Sequence, residues 1–184
     1  MSNVGHNDLR AAAERLRELG VDRIEGFAWR DLDDAEAGGS ELHADQIFSR
    51  WASVGLDIEH RTSTRSARTF ERNGYRVVQR GGRYDVFARV IASQIWKRLT
   101  RRRPPNTAVV EIWNGVPWFG ALWAPSKRIV WMHHVHRDMW SDVLPVPIDA
   151  AGRFLETRFA PLFYQRSKFV TLSNSSADEI ERIG

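Results

Sequence analysis

Four short stretches of this chain bring together residue types that could do chemistry. The first is Ala37-Gly38-Gly39-Ser40-Glu41. Two adjacent glycines keep side chains away from the backbone, and Ser40 is a good helix N-cap. A helix opening there would turn unpaired N–H groups and a favourable field toward a phosphate at Gly38, Gly39 and Ser40. The same pair also suits a turn that needs positive φ. It is neither a P-loop nor a GxGxxG fingerprint, because the spacing of each is missing.

The second stretch is Trp131-Met132-His133-His134-Val135-His136. Strand alternation would put His134 and His136 on one face and His133 on the other. Three uses are open: metal binding through His134 and His136, with Asp138 as the nearby third ligand; hydrogen bonding or acid–base work; or capped core histidines. The third runs from Glu111 to Phe119, where polar Glu111 and Asn114 stand among aromatics. That mixture fits a sugar-binding wall and equally a core strand followed by a turn. The fourth is basic and aromatic: Trp96, then Lys97, Arg98, Arg101, Arg102 and Arg103, five cations within seven positions. An apolar face beside such a cluster suits an anionic membrane surface, while the plain alternative is a solvated helix end that complements the dipole. No nucleophile elbow, zincin motif or kinase signature occurs.

These stretches need elements to position them. Residues 8–19 carry Leu9, Ala12, Leu16 and Leu19 on one helical stripe, closed by Gly20. Ala44, Ile47, Phe48 and Trp51 form the stripe of a second helix that Gly55 ends. Tyr84 to Leu99 reads as a third amphipathic helix, and residues 150–166 as helical with a break at Pro161. Strands are expected at 24–29, 56–62, 75–79, 108–113, 128–132 and 169–172, with a last helix capped by Ser173 to Ser176. Alternation of strand and helix predicts an α/β, Rossmann-like fold, a mostly parallel sheet with helices on both faces. The Gly38-Gly39 loop and His134 are then expected at one sheet edge, the edge where ligands bind in such sheets.

The chain's 184 residues suit one domain, with residues 1–22 as a helical N-terminal extension. No cysteine is present, which excludes disulfides and thiolate metal sites. Met1 to Arg10 lack an apolar core, and no stretch approaches a membrane span, so a cytoplasmic protein is expected, peripheral on the inner membrane face if the basic helix end docks there. A net charge of +4 is modest, and no nucleic-acid partner is expected.

Taken in order, the segments resemble the N-terminal domain of family-4 retaining glycosyltransferases of the GT-B fold. Gly38-Gly39-Ser40-Glu41 is similar to that family's GG-x-E loop, and Arg128 to His134 to its apolar strand followed by histidine. Phe169 to Ser176, continued by Glu179 to Gly184, resembles the stretch that closes its first domain. Glu156, Tyr164 and Arg166 suit subfamilies acting on cell-surface polysaccharides. The resemblance implies sugar transfer from a nucleotide-diphosphate sugar to a glycan or lipid-linked acceptor, with retention and without a metal or other cofactor. It implies donor-diphosphate contacts at Gly38, Gly39 and Ser40, a catalytic histidine at His134 or, as second choice, His133, and acceptor contacts at Glu111 and Asn114. Trp113 or Asn114 stands where the family usually has a histidine. A second, donor-binding domain in cis or in trans is also implied, and the chain alone is expected to be inactive. Two other readings stay open: a nucleotide- or phosphate-binding module, and a metal-dependent hydrolase built on the histidines.

Overall fold

The structure is a computed structural model that describes residues 3–64, 66–133, 135–136, 140, 146 and 148–183. Seven strands form one sheet: β1 (Arg23–Phe27), β2 (Asp57–Thr62), β3 (Arg68–Arg72), β4 (Tyr75–Gln79), β5 (Thr107–Trp113), β6 (Arg128–Met132) and β7 (Lys168–Val170). Their order across the sheet is β3-β4-β2-β1-β5-β6-β7, and every neighbouring pair is parallel except β3 with β4. The fold is therefore Rossmann-like. The chain builds outward from β1 to β4, then returns to lay β5 on the other side of β1. That reversal leaves a crevice at the carboxyl ends of β1 and β5.

Helices cover both faces. On one face lie α1 (Asn3–Glu18) and α2 (Gly39–Ser53). Ala13, Ala44 and Phe48 from these helices are buried against Ile24, Ile58, Val77, Val110, Ile112 and Trp131, with Leu16, Ile47 and Trp51 packed at the margin. Gly26 makes this close approach possible, since a Cβ there would sit 2.5 Å from the Phe48 ring. On the other face lie α3 (Asp85–Leu99) and the short α4 (Gly120–Trp123), which bury Val86, Phe87, Val90 and Trp123 against Phe27, Val109 and Trp118. Further along that face follow α5 (Ile148–Phe154), a π-helical turn (Leu155–Phe159), α6 (Pro161–Tyr164) and α7 (Asn174–Ile183). The break expected at Pro161 is present. The Ala160 N–H donates to Leu155 O at 2.8 Å, the wider π spacing, and Pro161 restarts the helix at a position that needs no N–H donor.

Two elements differ from the sequence expectation. β3 is not among the strands expected from the sequence, because Arg68-Thr69-Phe70-Glu71-Arg72 lacks apolar alternation. It is an edge strand in which Arg68 and Glu71 are exposed while Arg72 turns inward to Asp31. Its hairpin with β4 turns on Asn73 and Gly74, both at positive φ, between the paired residues Arg72 and Tyr75. The second is α4, too short for a periodic signal and entered through Phe119 at φ 52°.

Candidate functional site

The carboxyl ends of β1, β5 and β6 carry the loops that could do chemistry, and α2 points its N-terminus among them. The loop after β1 is held by charge. Asp31, 2% exposed, accepts two hydrogen bonds from the Arg72 guanidinium, at 2.9 and 2.7 Å, and one from Gln79 Nε2 at 2.7 Å. Burial pushes the Asp31 carboxyl up, but Arg72 outweighs it and holds it below its ordinary value. Asp33 pairs with Arg68 and Arg72, and Glu36 with Arg30 and Arg83. The segment that leads into Gly38 is thus fastened to the β3–β4 hairpin and to the loop before α3.

At the start of α2 the Gly38 N–H donates to Glu41 Oε2 at 2.8 Å, and Glu41 is buried. Neither Gly38 nor Gly39 has positive φ. A Cβ on Gly39 would meet nothing within 4 Å, and one on Gly38 only a Glu41 oxygen at 3.8 Å. Neither a left-handed turn nor close internal packing explains this glycine pair, and it faces open space.

Three contacts then join α2 to the strand ends. Asn114, just past β5, donates from Nδ2 to Ser40 Oγ at 3.2 Å across the crevice. His133, just past β6, places Nε2 3.3 Å from His43 Nδ1, with the rings 5.3 Å apart and perpendicular. The His43 ring also packs on Trp131 at 5.4 Å. The His43–His133 contact requires one of the two nitrogens to be bare, so the pair can hold and pass a single proton. The glycine loop and His133 occupy the same sheet edge. His134 and Asp138 lie outside the described residues. His43, which the sequence did not single out, sits one helical turn after Ser40, and that i, i+3 spacing was its only signal.

Glu111 is placed differently from the expected acceptor wall: it is fully buried. It accepts from the Tyr164 hydroxyl at 2.6 Å and the Gly120 N–H at 3.2 Å, and a Cβ at Gly120 would run into its carboxylate. Burial raises its pKa to about 7, against the lowering pull of Tyr164 and Gly120. Asn114 is half-buried and borders the crevice.

A second buried carboxylate, Glu156, lies in the π-helical turn. It accepts from the His136 N–H at 3.0 Å and from Trp140 Nε1 at 2.9 Å. Burial pushes Glu156 up, yet His136 and Trp140 together hold it below its ordinary value. The chain after β6 is anchored through that carboxylate. Among the described residues no group of three His, Cys, Asp or Glu is arranged to hold a metal.

The basic helix end splits into two sets. Lys97 donates to fully buried Glu25 at 3.2 Å, and Arg103 to buried Gln94 at 2.8 Å, so these two point inward. Arg98, Arg101 and Arg102 are exposed beside Ile95, Trp96, Leu99 and, on α4, Leu122, whose carbonyl accepts from Arg98 at 3.2 Å. Among the described residues no helix is long and apolar enough to cross a membrane.

In comparisons with known proteins, no family model, no curated protein and no solved structure matches this chain.

Proposed function

We propose that this chain is the acceptor-side domain of a retaining glycosyltransferase that uses a nucleotide-diphosphate sugar. One observation carries the reading: the glycine pair with open space before it, the Ser40–Asn114 bridge and the His43–His133 pair converge on the crevice where the strand order reverses. A diphosphate at the α2 N-terminus would receive backbone N–H groups that are already oriented, so a leaving phosphate is stabilised without reorganisation. The imidazole pair stands at the neighbouring strand end, where a sugar attached to that diphosphate would lie. Asn114 supplies an amide for an acceptor or donor hydroxyl. Glu111, enclosed in the core, supports the β5 loop from beneath and touches no ligand. A second, donor-binding domain in cis or in trans would complete the cleft, and this chain by itself would turn over little or no substrate.

The same proposal places the chain at an anionic membrane surface through Ile95, Trp96, Leu99 and Leu122 with Arg98, Arg101 and Arg102. Three outward cations at about 1 kcal/mol each give reversible, salt-sensitive attachment rather than anchoring. Titration of the full chain with a nucleoside diphosphate sugar, followed by backbone amide shifts, tests the crevice reading. Shifts should appear at Gly38, Gly39, Ser40, His43, Asn114 and His133. Shifts confined to other parts of the sheet, or none, would reject it.

A further inference from the structure

A cavity of about 640 Å³ opens between the β3–β4 hairpin and α3, away from the crevice described above. Four arginines line it, Arg61, Arg68, Arg80 and Arg89, together with the hydroxyls of Thr69 and Ser93. Among the described residues no carboxylate lines it. The fold brings these residues together for simple reasons. Arg61 pairs in register with Val78, as does Thr69 from the other side, so alternation turns Arg61, Thr69 and Arg80 toward the α3 face of the sheet. Arg89 and Ser93 stand one turn apart on α3 and face the same space. Gly81, at φ 89°, turns the chain between the two walls.

The charge in this cavity is not neutralised from within. Arg61 pairs with Glu59, but Glu59 is shared with Arg23 and Arg76. Arg68 borders the cavity with its stem, while its guanidinium is engaged on the other face of the sheet by Gln79 at 2.6 Å and Asp33 at 2.8 Å. Arg89 pairs with Asp85 at the exposed surface, where such a pair is weak. Arg80 is exposed and makes no ion pair or side-chain hydrogen bond among the described residues, and the buried Arg61 Nε has no hydrogen-bond partner there. Planar guanidinium forks match the oxygen pairs of a phosphoryl group, and hydroxyls complete its tetrahedral shell.

We propose that this cleft binds a phosphoryl-bearing anion, with Arg80 and Arg89 as principal ligands and Arg61, Thr69 and Ser93 completing the site. The assignment is independent of the glycosyltransferase reading, because it uses neither the glycine loop nor the histidines.

Calorimetric titration of the full chain with inorganic pyrophosphate at low salt tests it, with amide shifts to locate the bound anion. Binding should shift Thr69, Arg80, Gly81 and Ser93. Arg80→Gln should weaken it about tenfold, and Arg80→Gln with Arg89→Gln further. Neutralising Arg101 and Arg102 instead, an equal charge change elsewhere, should cost less than about twofold. Malonate, a dianion without phosphoryl geometry, should bind more weakly than pyrophosphate. Gly39→Leu should leave this binding unchanged, which separates it from the crevice. Unaltered melting temperatures of the Arg80 and Arg89 variants would confirm that the fold is intact. No binding up to about 10 mM pyrophosphate, equal losses in the Arg101/Arg102 control, or malonate binding as tightly would overturn the proposal.

Discussion

Asp31 and Glu111 are both carboxylates with almost no exposed surface, one on each side of the point where the strand order reverses, and their pKa values are shifted in opposite directions. Burial pushes both toward the neutral acid. Asp31 meets a guanidinium and stays charged, while Glu111 meets a phenol and a backbone N–H and rises to about 7. In this pair the neutral donors on Glu111, even at 2.6 Å, do not offset its desolvation, whereas the bidentate cation on Asp31 does. It also separates the two rims of the crevice. The rim bearing Gly38 is tied down by ion pairs, and the rim bearing Asn114 rests on a group that titrates near neutrality.

Breaking the charged tie should have the largest effect. Arg72→Met leaves the Asp31 carboxylate buried without its cation, which should cost about 3–5 kcal/mol of stability in a denaturant titration. It should also loosen the Gly38 loop, visible as faster amide exchange at residues 31–38. A loss below about 1 kcal/mol would mean that Gln79 alone satisfies Asp31.

The neutral rim gives the next largest effect, with the opposite sign. A carboxyl whose folded pKa is raised contributes stability that is complete below its unfolded value and is lost as pH rises through the folded value. Glu111 should therefore cost the protein stability between about pH 4.5 and 7, up to about 3 kcal/mol above that window. Glu111→Gln should raise the melting temperature at pH 8 and change it little at pH 4.5. His60, buried and lowered to about 4 chiefly by desolvation, acts in the reverse direction, losing stability as pH falls from 6.5 toward 4. Between about pH 4.5 and 6.5 the two slopes oppose each other and the wild-type profile should be nearly flat, whereas Glu111→Gln should remove the alkaline limb and expose the full acid loss due to His60. An unchanged alkaline limb would show that Glu111 is ionised in the folded state.

Tyr164→Phe sharpens the same comparison. Removing the hydroxyl should cost about 1–2 kcal/mol at pH 6 and extend the alkaline limb to higher pH, because ionised Glu111 loses its best donor and its pKa rises further. The smallest effect is expected at the surface. Arg101→Gln with Arg102→Gln should leave stability within about 0.5 kcal/mol while weakening sedimentation with anionic vesicles at low salt. Equal sedimentation before and after that change would remove the membrane contact.

Much of this arrangement is legible in the sequence. β4 and β6 can be read end to end, because Tyr75–Gln79 and Arg128–Met132 are β-rich runs with buried interiors. The α2 stripe and the Pro161 break are equally plain. β3 escapes because an edge strand needs no apolar alternation, and only Asn73-Gly74 betrays it. Glu111 misleads because a carboxylate at a strand end looks the same whether it faces a ligand or a helix. The deciding feature is Gly120, nine residues on, whose missing side chain leaves room for the carboxylate. The division of the basic helix end depends on Glu25 and Gln94, residues far apart in sequence that pattern reading cannot bring together.

Gly39 offers the most direct test of the central claim, that the open α2 N-terminus is a diphosphate site. A Cβ there meets no protein atom within 4 Å, so Gly39→Leu should leave the melting temperature nearly unchanged while filling the space before the helix. Binding of a nucleoside diphosphate sugar, followed by the amide shifts of Ser40, His43 and Asn114, should be lost in this variant and retained in Arg101→Gln. Retention of those shifts in Gly39→Leu, with the fold intact, would contradict the account.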